Sequence, residues 1–544
     1  MSAWSAPRRH LASGNDAAAA RIGGSAERGW RPWLLGSGLG RARGDAGLLL
    51  LIFVLAFLVR LVPVLAGGGL TGLHDYDDGV YFGSAIALTQ GVLPYRDFLL
   101  LHPPGEAVAL LPFGFLGGLA GDDVAFALAR LATMGLGAVS AVLATLVAGR
   151  HLRRAGIAAG LLYATWSAAS NTERSTDLHA LQAALLLAGL LVLVTPGRIR
   201  AGRAVLAGVP LGLATSVQLW QGLAVAVLLV WVAIRAPAAG RRLWARLVPP
   251  ISFGTGAVLA FVAVCLPFFV SAPWDMVRYI LVDQVSRPGS GMLSVERLRA
   301  LEGLPRTGQL PAALRPVVPD AAIVLVALAA AAVLVATARR CPWTRPWAVL
   351  AVAGTLVVMV TPSFFNDYVA FVAPAATLVL GTGVGWVGAR LLRAGHGRVL
   401  LVAGSVLLLA VSGVSVVRRE GQPLDIAALR ADLAGATCVN SDHPTLLVVT
   451  GALRHDLEHR CPIVLDPTGI RHDADRASLP GGLPARTLRQ AVGYQAAMVA
   501  LYGGSDAGLF TTDAGFTAAT RAAVERSLPY AHDEGVVTVR RAAP

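Results

Sequence analysis

The stretch HDYDDGVYFGSAIALTQGVLPYRDFLLLHPPGE, residues 74–106, is the densest polar segment before the C-terminal region, and it follows the first long apolar run. Charged residues make up only 14% of the chain, so this many ionisable groups beside an apolar run need an explanation. A fully solvated loop would not also carry Phe82, Ile86 and the leucines at 99–101. The pattern instead predicts short helices in a membrane interface, with polar groups that face a site.

The composition is typical of a polytopic membrane protein. Of the 544 residues 55% are hydrophobic, and the mean hydropathy is +0.63. Many windows reach the roughly 20 apolar residues that cross a bilayer. The net charge of +14 comes entirely from arginines, because the chain has no lysine. Many of these arginines form short clusters between apolar runs, which indicates membrane topology rather than a nucleic-acid-binding face.

Apolar runs and arginine clusters alternate so regularly that they predict about eleven transmembrane helices. Residues 1–45 are expected to be a disordered cytoplasmic tail, because the first apolar run is too long and too late for a cleavable signal peptide. The membrane domain is assigned to 46–417, with a first extracytoplasmic loop at 67–122. The predicted spans are about 47–66, 124–149, 155–170, 178–195, 204–219, 221–235, 248–271, 320–337, 346–361, 368–389 and 399–416.

Two further segments complete the predicted architecture. Residues 107–119 are too short to span and are assigned to a re-entrant or interfacial helix. Residues 418–544 have the composition of a small soluble α/β or α+β domain, extracytoplasmic if the span count holds. Buried strands are predicted at 445–453 and 462–466, and helices at 425–435 and 485–504.

The cysteines of the C-terminal domain, Cys438 and Cys461, are expected to form a disulfide if that domain is exported. Two buried free thiols are the alternative.

The unusual polar residues fall in the loops that this topology assigns to the outer side. A transporter would be expected to place ionisable groups near the bilayer midplane, from both halves of an internal repeat, whereas the span centres here are nearly free of charge. An active site at the outer surface fits better. The adjacent carboxylates Asp77 and Asp78 suit general-base chemistry, but an interfacial turn or helix cap explains such a pair equally well.

The segment DYDDGVYFGSAIALTQGVLPYRDFLLLHPPGE resembles the first extracytoplasmic loop of the C-type (GT-C) integral-membrane glycosyltransferases, in the bacterial branch related to glycosyltransferase family 39 (protein mannosyltransferases and aminoarabinose transferases). The resemblance rests on an acidic pair, an aromatic residue and a glycine–proline–acidic–double-proline series. Those residues are Asp77, Asp78, Tyr81, Gly91, Pro94, Tyr95, Arg96, Asp97, Pro103 and Pro104. It extends more weakly to residue 417, through 174–193, 212–229 and 364–381.

The resemblance implies an all-α GT-C membrane fold and transfer of a mannose- or pentose-like sugar from a polyprenyl-phosphate donor to an envelope acceptor. It implies that Asp77 is the general base, assisted by Asp78, in an inverting displacement at the outer face of a bacterial plasma membrane. The N-terminus would be cytoplasmic. Donor and phosphate contacts are expected from Tyr81, Arg96, Asp97, His102, Asp177, Arg287, Asn366, Asp367 and Tyr368.

Two positions depart from the family pattern. The acidic pair is Asp-Asp where Asp-Glu is common, and His102 stands before the double proline where lysine is frequent. Some members bind a divalent cation near this site, and Asp77, His102 and Glu106 could supply ligands, but no compact metal motif is present, so no metal is assigned. A transporter or lipid flippase, or a non-catalytic membrane sensor on the same scaffold, stays an alternative.

Overall fold

The protein is described by a computed structural model. It describes residues 39–194, 199–235, 243–287, 289, 291–304, 320–391, 419–472, 487–511 and 514–543. Most of the predicted tail, residues 1–38, and the eleventh predicted span, 399–416, lie outside the described residues.

The membrane domain is helical, and each of the first ten predicted spans coincides with a helix. Five of these are long and apolar enough to cross a membrane by length and composition, and the others are shorter. The span helices are α1 Leu39–Ala66, α5 Asp122–Gly149, α6 Arg153–Thr165, α8 Leu178–Leu193, α9 Ala201–Val217, α10 Gln221–Arg235, α11 Leu243–Ser271, α15 Asp320–Arg340, α16 Arg345–Val360 and α17 Ala373–Leu391.

The first long loop contains three short helices rather than a further span. These are α2 Tyr76–Thr89, α3 Gly105–Ala109 and α4 Leu111–Ala120. Helix α4 has only ten residues, and its Leu119 side chain is 88% exposed. The length and the exposed apolar side chain agree with the predicted interfacial segment.

The remaining short helices of this domain connect spans. They are α7 Ser167–Ser170, α12 Pro273–Val277, a π-helix at Arg278–Val282, α13 Asp283–Val285, α14 Ser294–Glu302 and 3₁₀ helices at Pro342–Thr344 and Asn366–Phe371.

The C-terminal domain contains a four-stranded mixed sheet with strand order β1-β2-β4-β3. Strands β1 and β2 are parallel, whereas β2–β4 and β3–β4 are antiparallel. In chain order the elements are α18 Ile426–Asp432, β1 Val439–Ser441, α19 Pro444–Thr450, α20 Ala452–Glu458, 3₁₀ helices at Thr468–His472 and Leu488–Gln490, α21 Val492–Gly503, β2 Ala507–Phe510, α22 Ala518–Ser527, β3 Tyr530–Glu534 and β4 Val537–Arg541.

Both strands predicted in this domain are wrong, whereas helices are found within 425–435 and 485–504 as expected. Residues 445–453 form α19 and α20, separated at Gly451, and 462–466 are irregular. Every residue of α19 is buried, so apolar and polar residues do not alternate along it. Without such a periodicity, a short buried helix cannot be told from a buried strand in the sequence. Pro444 starts this helix at a position where the missing N–H costs nothing.

Helix α2 and the C-terminal domain share one hydrophobic core, although they are separated by more than 300 residues in sequence. Phe82 and Ile86 of α2 belong to the same buried cluster as Leu446 and Leu453 of the C-terminal domain. At Gly79 a Cβ atom would lie 2.6 Å from the carbonyl carbon of Pro444, so α2 needs glycine for this close approach. The C-terminal domain is therefore packed directly on the helix that carries Asp77.

Cys438 and Cys461 form a disulfide with their Cα atoms 5.6 Å apart. The bond links the start of β1 to the segment that leads into residues 462–466.

Candidate active site

A cavity of about 390 Å³ lies between the membrane domain and the C-terminal domain. We call it the main cavity. It forms where the loops predicted to lie outside converge, and residues from eight separate chain segments line it. Its ionisable and polar lining residues are Asp75, Tyr76, Asp77, Tyr81, His102, Asp177, His179, Gln218, Arg287, Asp367, Tyr368, Asp466, Thr468 and Arg471.

The first turn of α2 carries Asp77 into the main cavity. Asp75 caps this helix, and its carboxylate accepts a hydrogen bond from the Asp77 backbone N–H at 3.2 Å. No described donor lies within hydrogen-bond distance of the Asp77 carboxylate. Burial, followed by the nearby charges of Asp75 and Asp177, raises the pKa of Asp77 well above its usual value. A carboxylate in this state is ready to accept a proton.

The neighbouring carboxylate points away from the main cavity. Asp78 is 0% exposed and accepts hydrogen bonds from Arg130 Nε at 2.8 Å and from the backbone N–H of Thr176 at 2.7 Å. The Thr176 hydroxyl adds a third donor at 2.6 Å. With its oxygens occupied in this way, Asp78 is a structural residue here, contrary to the prediction that it joins Asp77 in catalysis.

The opposite wall of the main cavity is the N-terminus of α8, where a chain of hydrogen bonds orients Asp177. His179 Nε2 lies 3.1 Å from Asp177 Oδ2, and Nδ1 lies 2.8 Å from the side-chain nitrogen of Gln182. The Gln182 oxygen accepts from Gln221 at 2.9 Å. Because a carboxylate only accepts hydrogen bonds, His179 donates to Asp177 from Nε2.

Asp177 stays ionised in this arrangement. Burial opposes ionisation, but the charge of His179, its hydrogen bond and the backbone N–H of Leu178 outweigh it and lower the pKa of Asp177. The helix N-terminus also favours a negative charge at this cap position.

A third group of residues consists of Asp367 and Tyr368, in the segment before α17, and of Arg287, which contacts that segment. Arg287 donates a hydrogen bond from Nη1 to the Tyr368 hydroxyl at 2.9 Å, and the Tyr368 ring packs edge-on against Trp220 at 4.6 Å. Asp367 lies in the same wall, and burial raises its pKa to about 6. Arg287 therefore has a fixed direction into the main cavity.

His102 lines the main cavity, and two side chains hold the backbone of residues 101 and 102 in place. Tyr95 donates to the His102 carbonyl at 2.7 Å, and Gln284 donates to the Leu101 carbonyl at 2.6 Å. Burial, with the positive charge of Arg287, lowers the pKa of His102 to about 3. The imidazole is consequently neutral at physiological pH and can still donate one hydrogen bond.

Besides Asp78, four residues singled out in the sequence do not line the main cavity. Arg96 is 48% exposed and pairs with its neighbour Asp97, whose carboxylate also accepts from the Leu93 N–H. Asn366 is exposed at the start of its 3₁₀ helix, and Glu106 is buried in α3 outside the cavity lining. Sequence order misled here, because adjacent residues of a tight turn point in different directions.

The three residues that could have supplied cation ligands do not assemble. Asp77, His102 and Glu106 do not bring three ligand atoms within 4.8 Å of one another. In the part of the chain that the structure describes, the one group that does so is Asp432, His532 and Glu534, on the partly exposed surface of the C-terminal domain.

Several residues of the main cavity were not foreseen as site residues. Asp75, taken for a bystander, lines the cavity with Asp77 and Asp367. His179 follows Asp177 by two residues, a spacing that could have marked it. Asp466 and Arg471 come from the C-terminal domain, and nothing in the sequence around them indicates a site.

No protein-family model and no curated protein sequence matches this chain. Solved structures do resemble it. ArnT from Cupriavidus metallidurans in the apo state superimposes with a TM-score of 0.57 at 16% identity, covering 92% of this chain and 100% of that one. The same protein bound to undecaprenyl phosphate gives a TM-score of 0.51 at 17% identity, covering 92% and 99%.

A second neighbour is the archaeal oligosaccharyltransferase AglB from Archaeoglobus fulgidus, solved with an inhibitory peptide and a dolichol-phosphate. Its TM-score is 0.54 at 11% identity, with 87% of this chain and 70% of that chain covered. At such low identity the similarity concerns the fold. The chain therefore shares its overall fold with ArnT and AglB.

Proposed function

We propose that this protein is a glycosyltransferase of the bacterial plasma membrane. It transfers a mannose- or pentose-like sugar from a polyprenyl-phosphate-linked donor to an acceptor of the cell envelope, on the extracytoplasmic side. The N-terminus lies in the cytoplasm, and the domain formed by residues 418–544 lies outside. The undecaprenyl phosphate and dolichol-phosphate in the two structural neighbours support a donor with a long lipid tail.

One observation carries the proposal. Asp77 has no partner for its carboxylate among the described residues, has a raised pKa, and lines a cavity that also contains Arg287. A base, a cation for a phosphate and several hydroxyl-binding carboxylates are what sugar transfer from a lipid phosphate requires. A purely structural loop would have paired these buried charges, as it does for Asp78.

The reaction follows from these positions. Asp77 takes the proton of the acceptor hydroxyl while the oxygen of that hydroxyl attacks the anomeric carbon of the donor sugar. The bond between that carbon and the phosphate oxygen breaks, and polyprenyl phosphate leaves with the bonding electrons. Attack opposite the leaving group inverts the configuration. Arg287 stabilises the negative charge that develops on the phosphate, and neutral His102 donates a hydrogen bond to it.

The alternatives are a transporter or lipid flippase, or a non-catalytic membrane sensor on the same scaffold. A measurement of sugar transfer distinguishes these alternatives from a glycosyltransferase. Purified protein in liposomes would be supplied with polyprenyl-phosphate-linked mannose or arabinose and with envelope extract. We expect a new glycosidic product from the wild type and a loss of roughly 100- to 10,000-fold for Asp77→Asn.

The matched control is Asp275→Asn, in the first turn of α12 on the same predicted side and outside the main cavity. It should transfer sugar at the wild-type rate. Full activity of Asp77→Asn would remove Asp77 as the base, and the absence of any product from the wild type with every donor would refute the proposed function.

A further inference from the structure

The C-terminal domain forms part of the main cavity through Leu488 and one short polar segment, residues 466–471. Asp466, Thr468, Gly469 and Arg471 all line the cavity, in and just before the 3₁₀ helix Thr468–His472. This segment is far in sequence from the predicted phosphate contacts. Arg471 lines the main cavity, as Arg96 was expected to do.

The segment is fastened to the helix that carries the proposed base. The Tyr76 hydroxyl donates to Asp466 Oδ1 at 3.0 Å and accepts from the backbone N–H of Thr468 at 2.9 Å. Asp466 Oδ1 also accepts from the Gly469 N–H at 2.7 Å. Tyr76 directly precedes Asp77, so these bonds set the distance between Asp77 and the segment that carries Arg471.

The charge balance of the main cavity calls for a second cation. Five carboxylates line it, from Asp75, Asp77, Asp177, Asp367 and Asp466. The described cavity lining has two guanidinium groups, those of Arg287 and Arg471. His102 is neutral, and His179 is already paired with Asp177. The leaving polyprenyl phosphate gains one negative charge as the sugar–phosphate bond breaks. A single arginine would face that charge in strongly acidic surroundings.

The two arginines line the same cavity although they belong to different domains. Burial, followed by the like charge of Arg287, lowers the pKa of Arg471, while Asp466 acts in the opposite direction. Two neighbouring guanidinium groups repel each other until an anion lies between them, and each can then donate charge-assisted hydrogen bonds to phosphate oxygens.

We propose that Arg471 of the C-terminal domain and Arg287 of the membrane domain bind the donor phosphate together, and that the Tyr76–Asp466 contact positions Arg471 for this role. This inference rests on the proposed function and adds to it a phosphate-binding residue from the second domain. The C-terminal domain is then a part of the active site rather than an accessory module.

The test measures binding of undecaprenyl phosphate to the purified full-length protein, with undecaprenol as the phosphate-free probe. Arg471→Ala should weaken undecaprenyl phosphate binding roughly 10- to 100-fold, the effect expected when a hydrogen-bonded charge is removed. It should leave undecaprenol binding unchanged. Arg471→Lys should recover part of the loss, and Tyr76→Phe should weaken phosphate binding less than Arg471→Ala.

The control is Arg526→Ala, in α22 of the same domain and outside the main cavity, which should bind both probes as the wild type does. Thermal unfolding of each variant checks that it is folded. If folded Arg471→Ala binds undecaprenyl phosphate as tightly as the wild type, or loses both probes equally, the phosphate role of Arg471 is overturned.

The outcomes separate this inference from the proposed function. Asp77→Asn should keep undecaprenyl phosphate binding while sugar transfer is lost. A wild type that transfers sugar but binds undecaprenyl phosphate independently of Arg471 overturns the inference alone. A wild type that does not bind undecaprenyl phosphate overturns both.

Discussion

Two groups of carboxylates lie within a few residues of each other, one facing the main cavity and one facing the helix core. On the core side, Asp78 pairs with Arg130, and Glu173 pairs with Arg60 and accepts from the Tyr163 hydroxyl at 2.5 Å. On the cavity side, Asp77 has no such partner. A buried charge is costly unless it is paired, so the paired group serves the fold.

Because Asp77 has no such partner among the described residues, it keeps this cost, which is typical of a residue in a site that awaits a ligand or a proton. The difference between these groups teaches more about function than the acidic pair does as a sequence motif. Asp77 and Asp78 are adjacent and of the same type, yet one lines the cavity and the other forms a buried ion pair.

The largest expected effect is on catalysis and separates the two groups directly. Asp77→Asn should reduce sugar transfer roughly 100- to 10,000-fold while its melting temperature rises. The raised pKa means that the folded state binds a proton more readily than the unfolded chain does, so a charged Asp77 lowers stability at neutral pH. Sugar transfer and thermal unfolding in detergent measure the two effects. A lower melting temperature would show that Asp77 is a structural residue.

The second prediction concerns the core side. Asp78→Ala removes the partner of a fully buried guanidinium, and such a loss costs about 3–5 kcal/mol of folding stability. We expect a large fall in melting temperature and in the yield of folded protein. Asp97→Ala, at an exposed ion pair, should change stability by less than about 1 kcal/mol and serves as the control. Equal effects of the two substitutions would contradict the assignment.

The third prediction tests the contact that joins α2 to the C-terminal domain. Gly79→Ala introduces a methyl group against the backbone of Pro444, and overpacking of this kind costs about 1–3 kcal/mol. Gly135→Ala, where no atom lies within 4 Å of the new Cβ, is the matched control and should not destabilise. Because α2 carries Asp77, we also expect transfer to fall for Gly79→Ala in protein that remains folded. Unaltered stability would mean that α2 and α19 do not pack as described.

The smallest effect is a shift in pH dependence. Asp75→Asn keeps a residue that caps helices well but removes one negative charge beside Asp77. After burial, that charge is the main cause of the raised pKa of Asp77, so its removal should lower this pKa. Transfer requires the ionised base, and the acidic limb of its pH profile should therefore move to lower pH. A limb that stays in place or moves to higher pH would show that Asp75 does not act on the base.

Much of the membrane domain could be predicted because its physics is local. The lengths of the apolar runs and the arginine clusters predicted ten of the described helices. The same predicted topology placed Asp77, Asp177, Arg287 and Asp367 on one side of the membrane, and all four line the main cavity. The strands at 445–453 and 462–466 could not be predicted correctly, because a short, fully buried run carries no period.

Residue types and their order alone predict a polytopic membrane protein with polar loops on one face and a C-terminal region of soluble composition. Those properties depend on residue type, on the length of apolar runs and on the distribution of arginine along the chain. Only the tertiary structure decided that Asp77 faces the cavity while Asp78 pairs with Arg130, and that Asp466 and Arg471 complete the site. Side-chain direction and contacts between distant segments arise from packing, which no local pattern records.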